Sequence, residues 1–300
     1  MPTLPQWTRR DFLKSGLAAT VLAGTGAIPA RGAKRSATDW VTLGQSGVQV
    51  TRLAFGTGTS SGRVQRELGQ EQFTRLVRHA YDRGIRFFET ADSYRGMPQM
   101  LATALKGIPR DSYRLMTKYS FYREITDPQA TIDRLRSDLG SEYLDILLIH
   151  CVRSPRWSEE LERLRDAFSE AKTKKVILAH GASCHGLLPL RAFPGNNWLD
   201  VALLRTNHAG VKMDSMHTRD TDDLGDVNEV VSHARKIHAQ GIGVLGMKLI
   251  GEGRFASPED RETALQFVMG LGAVDAVTIG YKSTAEIDEA IERMNRVLNT

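Results

Sequence analysis

The sequence predicts an α/β chain of the (β/α)8 type, a TIM barrel, with a short β-hairpin ahead of its first barrel strand. Three observations predict it. Short apolar runs alternate eight times with segments of helical spacing. The eight units fill residues 36–300, the usual extent of such a barrel. The phosphate-binding turn of a doubly wound open sheet is missing. Phe55-Gly56-Thr57-Gly58-Thr59-Ser60-Ser61-Gly62 follows the first strand, but its third glycine falls one residue too late for G-x-G-x-x-G.

The elements follow in order. Residues 41–50 read as a hairpin turning through Gly44, Ser46 and Gly47. Buried parallel strands are expected at 53–56, 86–89, 115–118, 145–150, 176–182, 201–207, 243–247 and 276–280. Helices are expected at 70–83, 98–105, 127–139, 157–172, 187–193, 227–239, 258–271 and 284–298. Gly84 and Gly241 stand where helix C-terminal caps belong, and Ser257-Pro258 reads as an N-cap with proline at the first helical position. Residues 209–226 form a long polar loop after a strand, on the face where barrel enzymes carry their sites.

Hydrophobic residues make up 41% of the chain and charged residues 25%, ordinary values for a molecule with a sizeable core. Two cysteines exclude a disulfide framework and a four-cysteine metal site. The formal net charge of +5 resides in residues 1–35, which carry six basic residues against Asp11. Residues 36–300 balance at 34 of each sign, so no nucleic-acid partner is expected.

Residues 1–35 read as a signal peptide and linker, ahead of a single domain at 36–300. Thr8-Arg9-Arg10-Asp11-Phe12-Leu13-Lys14 precedes an Ala/Gly/Leu-rich run that is too short for a good membrane span. The paired arginines resemble a twin-arginine export signal, which implies the export machinery as partner and a periplasmic location. Ala30 is the better cleavage candidate, because Ala33 has Arg31 at its disfavoured −3 position.

Buried strands should be apolar throughout, yet several end in polar groups. The second runs Phe87-Phe88-Glu89 and leads to Tyr94; the third ends Met116-Thr117-Lys118; the fourth ends Leu148-Ile149-His150; the fifth leads to Ser183-Cys184-His185. C-terminal strand ends of a barrel share one mouth, so Glu89, Tyr94, Lys118 and His150 should gather there. A carboxylate keeps a lysine charged, and the ammonium favours the phenolate of a nearby tyrosine. Such a tyrosine can give a proton to a carbonyl oxygen and take it back, with a histidine orienting the carbonyl. Singly, each residue has a plainer reading: an ordinary loop tyrosine, a structural ion pair, a hydrogen-bonded core histidine. Together on consecutive strand ends they make a carbonyl-reduction site.

From Val41 to Leu298 the chain resembles the aldo-keto reductases. The most specific stretch is Gly84-Ile85-Arg86-Phe87-Phe88-Glu89-Thr90-Ala91-Asp92-Ser93-Tyr94-Arg95-Gly96, with Thr117-Lys118 and Leu147-Leu148-Ile149-His150. The resemblance implies a reductase or dehydrogenase using NAD(P)(H) on a carbonyl or alcohol substrate. It implies Tyr94 as general acid/base, Lys118 as its partner and His150 as the substrate-orienting group. Glu89 replaces the family's usual aspartate, and Arg95 is inserted before Gly96. On the cofactor side it implies Ser183 against the nicotinamide carboxamide, with Cys184 in place of an asparagine. Leu203 stands for an expected glutamine, while Asn207 is kept. Met247 stands where an aromatic would stack on nicotinamide. Lys248, Gly251 and Gly253 are implied pyrophosphate contacts, and Lys282, Ser283 and Glu286 line the adenosine-phosphate end. Glu286 replaces a phosphate-gripping arginine, which favours NAD(H), although Lys282 and Ser283 retain the means to bind a phosphate. The twin-arginine route carries folded proteins, which suits loading a nucleotide before export.

No metal site is assigned. His180, His185, His208 and Cys184 fall near strand ends, but no H-E-x-x-H or paired-cysteine spacing accompanies them. The changes at Cys184, Leu203 and Met247 leave a second reading open: a nucleotide-binding or redox-sensing barrel with little or no catalysis. The substrate, the physiological direction and the oligomeric state have no signature in the sequence.

Overall fold

The computed structural model describes residues 34–121, 126–217 and 223–300. The expected export signal falls on residues 1–33, outside the described residues, as do 122–125 and 218–222, the latter within the loop 209–226. Residues Lys34–Thr300 form one compact unit.

Strands β1 (Trp40–Thr42) and β2 (Gln49–Thr51) pair antiparallel as the expected hairpin. Eight parallel strands follow: β3 (Leu53–Gly56), β4 (Phe87–Glu89), β5 (Arg114–Tyr119), β6 (Leu144–Val152), β7 (Ile177–Cys184), β8 (Val201–Arg205), β9 (Gly243–Met247) and β10 (Ala276–Gly280). They pair in sequence, and β10 pairs with both β9 and β3, which closes the barrel. The fold is therefore the (β/α)8 barrel with an N-terminal hairpin.

Helices separate the strands. They are α1 (Arg63–Arg66), α2 (Gly69–Asp82), α3 (Met97–Leu105), α4 (Pro128–Asp138), α5 (Trp157–Glu160), α6 (Glu162–Thr173), α7 (Leu187–Leu190), α8 (Val227–Ala239), α9 (Pro258–Gly270) and α10 (Thr284–Val297). Gly84 ends α2 with φ 96°, and the amides of Gly84 and Ile85 return to the carbonyls of Tyr81 and Ala80. That double closure needs a left-handed residue, which glycine adopts without Cβ strain. Ser257 caps α9 by accepting from the Asp260 amide at 3.0 Å, with Pro258 at the first position. No helix among the described residues is long and apolar enough to cross a membrane.

The helix expected over 157–172 is two helices, because Leu161 leaves helical geometry at φ −112° and ψ 24°. The apolar spacing of Trp157, Leu161, Leu164 and Phe168 runs unbroken through the kink, so periodicity does not register it. The helix expected over 187–193 is the single turn α7, which contains Pro189 and its missing N–H. Strand β8 stops at Arg205 rather than 207, whereas β6 and β7 reach Val152 and Cys184.

Alternate residues of each strand serve two cores. Ala54, Phe87, Met116, Ile146, Leu148, Leu203 and Leu245 fill the barrel, and Leu43, Val48 and Val50 of the hairpin pack onto them. Leu53, Phe55, Phe88, Leu115, Leu147, Ile149 and Val277 face the helices. Burying each Val, Leu, Ile, Phe or Met of these cores contributes roughly 1.5–3 kcal/mol. The fill stops at the strands' C-terminal ends, where polar side chains take the inward positions.

Candidate active site

Glu89 ends β4 and Lys118 lies near the end of β5, both on inward positions of adjacent strands. The two are buried, and Lys118 Nζ donates to Glu89 Oε1. The same ammonium donates to the Thr90 carbonyl at 2.9 Å and to the Tyr94 hydroxyl at 3.3 Å. The other carboxylate oxygen, Oε2 of Glu89, accepts from Thr278 Oγ1 of β10 at 3.3 Å. A charge this deep is tolerable only with its partners in place, and each carboxylate oxygen has one.

Tyr94 sits in the turn between β4 and α3. Its amide donates to the Ala91 carbonyl at 3.1 Å, and its carbonyl accepts from Met97 at 2.9 Å. A Cβ on Gly58 would come within 2.7 Å of the Tyr94 hydroxyl, so only glycine there lets the phenol reach Lys118.

His150 meets the Tyr94 ring edge-to-face, with centroids 5.7 Å apart and planes at 82°. Its Nδ1 contacts the Ser93 hydroxyl at 3.1 Å and the Ser120 hydroxyl at 3.0 Å. Burial, and then the positive charges of Lys118, Arg153 and Lys248, hold His150 well below the usual imidazole range, so the ring is neutral. The pairing of β6 with β7 shifts register between Ile149 and Val152, and Cys151 within the shift takes φ 57°. Such a bulge re-aims side chains at a strand end. Ser183 of β7 accepts the displaced Cys151 amide on its Oγ at 2.9 Å.

Glu89, Tyr94, Lys118 and His150 are thus brought together. From Glu89 and Tyr94 a groove of about 620 Å³ runs past Gly58, Met247, Lys248 and Gly253 to Lys282, Glu286 and Arg293, and Lys118 and His150 do not line it. Its volume suits an extended dinucleotide, and its Lys248, Arg261, Lys282 and Arg293 are matched by Glu89, Glu252, Glu286 and Glu289. Lys248 pairs with Glu252 in the turn Gly251–Gly253. At the far end Glu286 Oε2 accepts the Lys282 amide at 2.8 Å, while Ser283 caps α10 by accepting the Glu286 amide at 3.2 Å. Arg293 is paired with Glu262 and Glu289, and Arg261 with Glu289.

Five residues named for the cofactor do not line this groove: Ser183, Cys184, Asn207, Gly251 and Ser283. Cys184 is fully buried among helix-facing residues, and its Sγ lies 3.5 Å from Asp214 Oδ2. Asn207 ties its own loop: its Nδ2 donates to the carbonyls of Val211 at 2.7 Å and Lys248 at 3.2 Å. Sequence reasoning missed Ser93, Ser120 and Thr278, whose hydroxyls hold the site together. It also missed Arg205, an inward residue of β8 that is 3% exposed and 3.7 Å from Asp214.

The model of the Aldo/keto reductase family matches residues 52–300. A probable aldo-keto reductase 1 of Glycine max is 26% identical over 233 residues, covering 72% of this chain and 60% of that protein. The L-galactose dehydrogenase of Arabidopsis thaliana is 31% identical over 147 residues, 45% of this chain and 46% of that one. The matches therefore span about half to three fifths of these curated relatives. Among solved structures, a putative aldo-keto reductase from Pseudomonas aeruginosa superposes with a TM-score of 0.70 at 19% identity, over 88% of this chain and 99% of that chain. The holo form of an aldo-keto reductase from Bacillus halodurans gives 0.65 at 19%, over 86% and 94%.

Proposed function

The chain belongs to the aldo/keto reductase family, and on that premise we propose that it interconverts a carbonyl and an alcohol at the barrel mouth, with Tyr94 moving the proton. The observation that carries the reading is the contact of one buried ammonium, Lys118, with both Glu89 and the Tyr94 hydroxyl. When the Tyr94 proton passes to a carbonyl oxygen, negative charge develops on the phenolic oxygen 3.3 Å from that ammonium. Glu89 and the Thr90 carbonyl keep the ammonium in place. Neutral His150 accepts a serine hydroxyl on Nδ1 and offers its Nε2 hydrogen to the same carbonyl oxygen.

Bound in the groove, a nicotinamide dinucleotide supplies or accepts the hydride. Met247 would offer its thioether to the nicotinamide face, Lys248 and Gly253 the pyrophosphate contacts, and Lys282 and Glu286 the adenosine ribose. NAD(H) is favoured because the Glu286 carboxylate occupies the ribose end while Arg261 and Arg293 are already paired. Export through a twin-arginine signal to the periplasm rests on the leader sequence, and protein found only in the cytoplasm would contradict it.

The test is a panel of aldehydes, ketones and sugars assayed with NADH and NADPH. Turnover with at least one carbonyl supports the reductase. Tight nucleotide binding without reduction of any member favours the redox-sensing barrel instead.

A further inference from the structure

Cys151 stands one residue beyond His150, on the bulge of β6, and its thiol meets a second imidazole. Its Sγ lies 3.0 Å from Nε2 of His185, which follows the end of β7. The residue is 4% exposed, yet it lines a cavity of about 270 Å³ together with Phe121, Trp157, Leu161, Arg153 and Glu160. That cavity shares no lining residue with the dinucleotide groove. The other cysteine is the internal contrast. Cys184 lines neither cavity, and burial, reinforced by Asp214, pushes its thiol well up.

His185 is held neutral by burial and then by the positive charges of Arg205, Lys248 and Arg153. A neutral imidazole nitrogen in contact with a thiol can accept its proton, and Nε2 of His185 makes that contact at 3.0 Å.

We propose that Cys151 is a covalent modification site for α,β-unsaturated carbonyl compounds, with His185 as its base and the 270 Å³ cavity as the receiving pocket. His185 Nε2 takes the S–H proton, and the sulfur electron pair forms a bond to the β-carbon. The C=C pair moves toward the carbonyl as an enolate, and His185 returns the proton to the α-carbon. The product is a saturated carbonyl thioether; nothing is oxidised or reduced. Phe121, Trp157 and Leu161 give the electrophile's hydrocarbon part an apolar wall, and the charge of Arg153 suits the enolate oxygen. Because Cys151 adjoins His150, the adduct slows carbonyl reduction. That consequence rests on the function proposed above, whereas the addition does not.

Methyl vinyl ketone added to the full-length folded chain, followed by peptide mass mapping, tests the addition. The expected result is one equivalent on Cys151 and none on Cys184. His185→Gln should slow labelling about tenfold or more, while Cys184→Ser leaves it unchanged. Labelling of both cysteines alike, or an unchanged rate in His185→Gln, overturns the proposal. Should His185→Gln fail to fold, wild-type Cys151 must still react faster in the native protein than in urea; an equal or slower native rate overturns the proposal as well.

Discussion

Lys118 and Tyr94 meet at 3.3 Å between ammonium and hydroxyl, and the lysine that makes this contact is 1% exposed. Its charge is held there by Glu89, a residue on the neighbouring strand whose side chain is 5% exposed. The pair is as much a part of the barrel's upper layer as of its chemistry.

Replacing Lys118 by Met therefore leaves the Glu89 carboxylate buried without its cation. The expected loss of stability is about 3–5 kcal/mol, read from urea unfolding. The double change Lys118→Met with Glu89→Leu should recover most of the stability and none of the reduction. A single variant as stable as the parent would show that the pair does not bear on the fold.

At the far end of the groove, Glu286 accepts the Lys282 amide at 2.8 Å, and the proposed function assigns the adenosine ribose to it. Glu286→Arg exchanges a repelling carboxylate for a phosphate-binding fork. The ratio of KM values should move toward NADPH by about tenfold, the worth of one charge-assisted hydrogen bond. An unmoved ratio would place nucleotide discrimination elsewhere.

His180 lies on the helix side of β7, stacked on Trp198 with centroids 4.4 Å apart, and 3.5 Å from Asp200. Burial pushes it down to about 4, with Asp200 opposing, against an ordinary imidazole value of 6.5. The unfolded chain thus takes up this proton before the folded one does. Stability is intact above pH 6.5, falls as the pH drops from 6.5 to about 4, and loses no more from this group below that. The loss is at most ~3 kcal/mol. His180→Phe should flatten that limb of a urea-midpoint profile, with His150, His185 and His233 supplying what remains in the same direction. Parallel profiles for the two proteins would contradict the assignment.

The fold was legible because barrel chemistry is periodic. Buried parallel strands read as apolar runs, and a glycine such as Gly84 marks a helix end by a backbone angle other residues resist. Glu89, Lys118 and His150 stood out as ionisable groups inside such runs. Ser93 and Ser120 did not, since a loop hydroxyl is ordinary until its partner is known. Thr278 was hidden by the tolerance of strands for threonine. The bulge at Cys151 carries no sequence mark, because a left-handed backbone there occurs without glycine or asparagine. Ser283 and Glu286 did carry a mark, the S-x-x-E spacing of a capped helix start, which the cofactor reading overlooked.

Proton delivery by the Tyr94 phenol is tested most directly by single-turnover reduction with Tyr94→Phe, with nucleotide affinity measured alongside. The phenyl ring keeps the packing against His150 and removes the hydroxyl, and with it the transferable proton and the contact with Lys118. The prediction is a fall of about a thousandfold in the reduction rate with nucleotide binding preserved. A variant that still reduces its carbonyl within a few-fold of the parent rate would mean that another group delivers the proton.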